Sequence, residues 1–368
     1  MFQDLLLRLR ARLVARVDGP LLCIMLALMA SGLATVYSAT YDAHNRVLAQ
    51  SLNMAVGLCA MWMVAQLPPP KLMRFGVPLY ALGLVLLVLV FFFGTKVNGA
   101  RRWLSLGFTR IQPSELLKLA VPLMLAWYLH KHEAALKLRH YAIAAVLLLL
   151  PFALIAKQPD LGTAILVGAA GFYVLFFAGL PWQAIAGLLG AAAAAAPFAW
   201  TMMHDYQRKR ILTLIDPTSD PLGAGYHIIQ STIAIGSGGG FGKGWLAGTQ
   251  THLEFIPERH TDFIFAVFAE EHGLFGAGVL VVLYLLLIGR GLMITANAST
   301  LFSRVIAGSI TLSLFTYAFV NMGMVAGILP VVGVPLPFMS YGGTALVTLS
   351  VSVGILMSIQ SHRMLVRK

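Results

Sequence analysis

The sequence predicts an all-α polytopic integral membrane protein, and three observations predict it. Hydrophobic residues make up 59% of the 368-residue chain. Charged residues make up 11%, less than half of the roughly 25% usual in water-soluble domains. The apolar residues also fall in long blocks, as a hydrocarbon layer about 30 Å thick requires of a spanning helix. So little charge cannot cover a soluble body of this size. Soluble enzymes, secreted disulfide scaffolds and collagen-like chains are excluded.

Ten blocks of spanning or near-spanning length lie at about 20–40, 51–67, 75–93, 114–130, 141–156, 161–180, 183–203, 263–289, 303–326 and 342–360. The first follows a basic run (Arg8, Arg10, Arg12, Arg16), which resembles a signal peptide. Its apolar stretch is long and many more follow, so it reads as an uncleaved span. Cys23 and Cys59 fall inside the first two spans, which argues against a disulfide framework or a metal site. The fourth opens on Gln112-Pro113-Ser114-Glu115, with proline near the first turn and glutamate early. Only Lys157-Gln158-Pro159-Asp160 separates the fifth and sixth. Pro159 ends one helix and Asp160 caps the next, which predicts a tight hairpin. In the seventh, the Ala191–Ala196 run permits close helix packing.

Between the seventh and eighth spans lies the one large non-membrane segment, 204–262. It holds the turn-rich Asp216-Pro217 to Pro221 and a glycine-rich stretch from Gly223 to Gly248, without strong secondary structure. A loop this long is functional rather than connective. The glycine-rich stretch is not a phosphate-binding loop. Ser237 holds the earlier glycine position and Gly244 replaces the Ser/Thr after Lys243, so it reads as a flexible or re-entrant lining. No internal repeat stands out, and the whole of 1–368 reads as a single membrane domain.

An even number of spans puts both termini on one side, and the positive-inside rule makes that side the cytoplasm. The basic segment 1–19 is then cytoplasmic, and just over half of the 26 cations fall in cytoplasmic segments. The net charge of +12 comes with no basic helix or stacking platform outside the spans, so nucleic acid is not the partner. Most remaining cations form two external clusters: Lys96, Arg101, Arg102, Arg110 and Lys118, then Arg208, Lys209, Arg210, Lys243 and Arg259. Long external loops hold cations without setting topology, but two clusters on one face also make a docking surface for an anionic headgroup.

Ionisable groups inside a membrane are costly, so each is a functional candidate. Four acidic positions remain at or within spans: Glu115, Asp160, Asp262 and the pair Glu270–Glu271. Asp262 opens the eighth span beside Arg259 and His260. It either caps that helix or presents a carboxylate able to take a proton from a sugar hydroxyl. Glu270 and Glu271 point away from Asp262's face and read as ties to neighbouring helices, with His272 a packing group. Glu115 and Lys118 share one helix face, as a structural ion pair or as one that an anion joins. No His/Cys cluster has metal-ligand spacing, and no Gly-x-Ser-x-Gly elbow is present.

These segments closely resemble the SEDS family (shape, elongation, division and sporulation proteins). The match rests on Asn321, Gly327, Pro330 and Gly333, on Ser340-Tyr341-Gly342-Gly343-Thr344-Ala345, and on Gly99-Ala100-Arg101-Arg102-Trp103. Further matches are Gln112-Pro113-Ser114-Glu115, Gln158-Pro159-Asp160-Leu161-Gly162-Thr163, Asp216-Pro217 through Asp220-Pro221-Leu222-Gly223, and His260-Thr261-Asp262-Phe263. Arg259 in its motif and Gly225-Tyr226-His227-Ile228-Ile229-Gln230-Ser231 place the likeness on the rod-shape side of the family rather than the division side.

The resemblance implies a peptidoglycan glycosyltransferase in the bacterial inner membrane, polymerising lipid II during cell elongation with its active site facing the periplasm. It matches Asp262 to the family's essential aspartate and Glu115 and Lys118 to polar residues lining the central cavity. It implies a class B penicillin-binding protein as partner, within an elongation complex. The α-linked pyrophosphate donor and β-linked product require inversion, hence one base and stabilisation of the departing pyrophosphate. Asp262 is the expected base, with Arg101, Arg102, Arg210 and Lys118 as candidates to hold the leaving group and Asp160 as a further substrate-binding candidate. No cofactor is firmly implied. A divalent cation could neutralise the pyrophosphate, although no preformed ligand cluster supports one. A lipid II flippase and a non-catalytic elongation scaffold are the competing readings.

Overall fold

The computed structural model describes residues 16–40, 44–97, 100–105, 110–203, 205–220, 223–253, 255–256 and 258–363. Arg8, Arg10, Arg12, Arg367 and Lys368 lie outside them. In chain order the elements begin with α1 (Gly19–Ala39), α2 (His44–Ala65) and α3 (Pro69–Phe93). A small antiparallel ribbon follows, β1 (Thr95–Val97), β2 (Ala100–Ser105) and β3 (Arg110–Ile111), paired in the order β1-β2-β3. Next come α4 (Pro113–Lys131), α5 (Leu138–Ala156), α6 (Leu161–Phe177) and α7 (Trp182–Met202). The long loop contains α8 (Asp205–Ile215), α9 (Ala224–Ser237) and the short α10 (Thr249–His252). The chain closes with α11 (Ile264–Ala296), α12 (Leu301–Val325) and α13 (Gly343–Ser361).

All ten apolar blocks are helices, and seven (α1, α2, α3, α5, α11, α12, α13) are long and apolar enough to cross a membrane. Local chemistry sets their starts. Asp18 caps α1 by accepting from the Leu21 N–H at 3.0 Å, and Thr300 caps α12 through the Ser303 N–H. Prolines open α3 and α4, where the missing N–H has no intrahelical partner anyway. The hairpin between α5 and α6 forms as expected, with the Asp160 carboxylate accepting from the Thr163 N–H at 3.3 Å.

The centre of the bundle is α12, which packs on α6 and α11, while α13 packs on α2 and α3 on α4. Close approach relies on small residues. A Cβ on Gly354 of α13 would lie 2.5 Å from the Met61 carbonyl oxygen of α2. Around the rim α7 behaves otherwise. Its Ala191–Ala196 run is exposed, so among the described residues it packs against nothing that would use its small side chains.

Arg16 donates to the Gln66 carbonyl at 2.6 Å, and Arg290 forks onto Asp18 through Nε (3.1 Å) and Nη2 (2.5 Å). Pro68, Ser299 and His362 line one cavity at the same end, so the start of α1 and the end of α13 share a face.

One sequence expectation is corrected. The 204–262 segment is not without secondary structure. Ile228, Ser231 and Ala234 of α9 are buried, and α9 packs on α11. Its pattern is broken by turn residues on both sides and is too short to register as an apolar block. The glycine-rich stretch, read as a flexible or re-entrant lining, docks into α11. That helix breaks at Gly273 (φ 65°, ψ −165°), and the gap is filled by the glycine backbone. Lys243 and Gly244 donate N–H bonds to the carbonyls of Glu270 and Glu271, both 3.0 Å. Leu274 and Phe275 in turn donate to the carbonyls of Gly239 (2.9 Å) and Gly240 (3.0 Å). A Cβ on Gly242 would stand 2.1 Å from the Glu271 carbonyl, so only glycine fits there.

Candidate active site

A cleft of about 270 Å³ opens on the face opposite the two described chain ends, lined by Arg102, Gln112, Glu115, Lys118, Asp160 and Asp262 among others. Five separate parts of the sequence meet in it, one of them the stretch from Gly333 into the first turns of α13. The ribbon brings Arg102 and Trp103, the first turns of α4 bring Glu115 and Lys118, the α5–α6 hairpin brings Asp160, and the segment before α11 brings Asp262.

Lys118 Nζ lies 2.5 Å from Glu115 Oε1, with the two side chains only 10% and 13% exposed, and 5.3 Å from the centroid of the Tyr317 ring. The other Glu115 oxygen is buried without a hydrogen-bond partner among the described residues, which leaves one acceptor of the pair open. Arg102 donates to the Pro159 carbonyl and stands 3.8 Å from Asp160 Oδ1, while Gln112 donates to Asp160 Oδ2 at 3.1 Å. Asp160 is therefore a cap and a brace for the ribbon as well as part of the cleft wall. Each cleft cation already faces a carboxylate, so an incoming anion would join two ion pairs rather than meet bare positive charge.

Asp262 differs from both acids. The helix cap of α11 falls at Phe263 with no side-chain bond, so the Asp262 carboxylate caps nothing. It has no hydrogen-bond or ion-pair partner among the described residues. Burial first, and the nearby Glu258 carboxylate second, push its pKa up to about 6. The backbone around it is held firmly. Asn321, fully buried, donates through Nδ2 to the carbonyls of Asp262 (2.8 Å) and Val334 (2.7 Å). Ser340 Oγ donates to the Thr261 carbonyl at 2.7 Å, and the Tyr341 N–H donates to the His260 carbonyl at 2.8 Å. Gly333 lies beside the carboxylate at φ 73°, a backbone conformation that favours glycine.

His260 lies 3.3–3.4 Å from Arg46 and edge-on to Tyr341. Burial and Arg46 both lower its pKa, so it is neutral at neutral pH and contributes no charge to its neighbour Asp262. No sequence signal pointed to Arg46. Asn321 and Ser340 were visible only as members of the family signature.

Of the other candidates, Arg210 sits exposed on α8 and is not among the residues lining the cleft. Arg101 belongs to β2, and its side chain lies outside the described ones. The second cationic cluster is not one surface. Lys243 pairs with Glu270 at 2.8 Å, and Lys209 with Asp220 at 3.0 Å. Arg208 donates to the Trp200 and Thr201 carbonyls, and Arg259 to those of Ala39 and Thr251. Glu270, fully buried, also accepts from the Gln250 N–H (2.8 Å) and from Thr251 Oγ1 (2.9 Å). Glu271 accepts from Ser38 of α1. Both glutamates are ties, as their position away from Asp262 suggested, and His272 stacks on Phe268. Among the described residues, no three His, Cys, Asp or Glu side chains form a metal-holding group.

The model of the cell cycle protein family FtsW, RodA and SpoVE matches residues 19–365. The peptidoglycan glycosyltransferase MrdB of Escherichia coli (strain K12) is 52% identical over 352 residues, covering 95% of each chain. Among solved structures, one described as the structural coordination of polymerization and crosslinking by a peptidoglycan synthase complex contains a chain that superposes with a TM-score of 0.82 at 35% identity. The match covers 95% of this chain and 99% of that one. The rod shape determining protein RodA of Thermus thermophilus superposes with a TM-score of 0.72 at 31% identity, covering 95% and 98%.

Proposed function

Because the chain belongs to the FtsW, RodA and SpoVE family, it is a peptidoglycan glycosyltransferase, and we propose that Asp262 is the base of its reaction. The supporting observation is the Asp262 carboxylate, unpartnered among the described residues, with its pKa raised to about 6, in one cleft with Arg102 and Lys118. A carboxylate so placed is ionised at neutral pH yet basic enough to accept a proton.

The substrate in this reading is lipid II. Asp262 takes the proton of the acceptor GlcNAc 4-hydroxyl as that oxygen bonds to the donor's anomeric carbon. The carbon–oxygen bond to the pyrophosphate breaks, and its electron pair leaves on undecaprenyl pyrophosphate. The incoming oxygen arrives opposite the leaving group, so the configuration inverts from α to β. A pyrophosphate leaves without protonation, so no second carboxylic acid is needed. Lys118 and Arg102 stabilise the charge that develops on it. A divalent cation carried in on the pyrophosphate would add to that neutralisation.

This is a membrane protein, and we place it in the bacterial inner membrane with the cleft facing the periplasm. The partner in this reading is a class B penicillin-binding protein that cross-links the new strand within the elongation complex. The experiment incubates lipid II with the purified protein and its transpeptidase partner. Glycan strands from the unaltered chain and none from Asp262→Ala support the assignment. Equal strand yield from both removes Asp262 as the base and favours the scaffold reading, while lipid II translocation without strands favours the flippase.

A further inference from the structure

The glycine-rich segment that fills the break in α11 lies at a depth that can be read from α1. That helix runs from Gly19 to Ala39, and its 21 residues at about 1.5 Å rise span one hydrocarbon layer. Trp245 Nε1 donates to the Ala34 carbonyl at 3.2 Å, and its ring stacks on Tyr37 at 5.7 Å. Ala34 is five residues inside the end of α1, about 7.5 Å below the membrane boundary at a helical rise. The Trp245 ring is therefore level with the last two turns of α1, inside the stretch long enough to span, although it belongs to the loop.

Irregular backbone survives at that depth only if its polar groups are satisfied by protein. Here the carbonyls of Gly239 and Gly240 and the N–H groups of Gly242, Lys243 and Gly244 are all engaged, mostly by α11. The one cation, Lys243, is turned inward onto Glu270 and Thr249. What the segment turns outward is apolar. Phe241 is 90% exposed, and it is flanked by Leu274 (76%) and Phe275 (70%) on α11 beyond the break.

We propose that Gly238–Trp245 is a re-entrant plug whose Phe241 is seated among the acyl chains of the cleft-side leaflet, so that bilayer lipid fixes the depth of the catalytic loop. The chemistry of the partner is hydrocarbon rather than a headgroup, because the side chains turned outward, Phe241, Leu274 and Phe275, are apolar and the segment's cation, Lys243, is paired inward. The same plug is tied to the segment before Asp262. Glu270 holds Lys243 and Thr251, and the Thr251 carbonyl accepts from Arg259 at 3.1 Å. The proposal does not depend on the assignment of Asp262 as base.

The test replaces Cys23 and Cys59 by alanine and introduces one cysteine by Phe241→Cys for a nitroxide label. Phe241 packs little surface inside the protein, so the change removes no core. The purified chain, without partner, goes into nanodiscs of phosphatidylethanolamine and phosphatidylglycerol. Collision rates are measured with oxygen, which concentrates in hydrocarbon, and with a water-soluble nickel chelate. Val85→Cys, on the exposed face of α3, and Arg210→Cys, on exposed α8, give the lipid and water references. The proposal predicts an oxygen-to-nickel ratio for Phe241 close to that of Val85 and several-fold above that of Arg210. A nickel-accessible label overturns it, and so does protection from both reagents, which would mean that another protein surface covers the plug. Leu274→Cys is the second variant and must give the same reading.

Discussion

The two groups of cations on the cleft side look alike in composition and behave differently in the fold. Arg102 and Lys118 line a cavity, and the buried Arg102 Nε has no hydrogen-bond partner among the described residues, so one donor is left to spare. Arg208, Lys209, Lys243 and Arg259 are instead engaged by internal partners: two carboxylates, the hydroxyl of Thr249 and the backbone carbonyls of α1, α7 and α10. In the proposed reading the first group exchanges part of its pairing for a substrate anion. The second holds the long loop to the bundle. Charge identifies neither role. What separates them is whether the partners already saturate the donors and whether a cavity reaches them.

The most demanding trial of this contrast is a charge swap, Glu115→Lys with Lys118→Glu. The ion pair survives but its polarity reverses, so polymerisation should fall by about 10²-fold or more while thermal unfolding stays near that of the parent. Retained turnover would make the pair structural. In the second group Glu270→Ala should act the opposite way. It strands Lys243 and empties a fully buried acceptor site, at a cost of about 3–5 kcal/mol read by thermal denaturation. Activity per folded molecule should change little. A milder effect comes from pH. Asp262 must be ionised to act as base, and its raised pKa puts protonation within reach of ordinary buffers. Below about 6, kcat/KM should fall about tenfold per pH unit, and Glu258→Gln, which removes the nearby negative charge, should move that limb to lower pH. The smallest effects belong to α8. Lys209→Ala should cost at most about 0.5 kcal/mol, because its pair with Asp220 is largely solvated. Arg210→Ala should leave strand yield unaltered within assay error, and a large loss there would return α8 to the pyrophosphate site.

The helices were legible because each apolar block is a local signal. So was the ion pair of Glu115 and Lys118, which lie one turn apart. What escaped was non-local. Arg259 meets Ala39 across 220 positions and Lys243 meets Glu270 across 27, and nothing in either segment announces the other. The ribbon escaped because its strands are short, with β3 only two residues long. Asp262 was legible as a candidate, yet its distinction from Asp160 was not. Both open helices, but only Asp160 uses its side chain to cap one, a difference fixed by where Asn321 and Ser340 hold the backbone of the other.

That restraint has a kinetic meaning. One carboxamide, on a helix remote in sequence, grips two carbonyl groups and so holds the peptide that carries the proposed base. The entropy of aligning that acceptor is lost once, when the chain folds, and not again in every catalytic cycle. In the proposed reading a saccharide entering the cavity meets a carboxylate whose backbone is already set, which lowers the conformational part of the barrier.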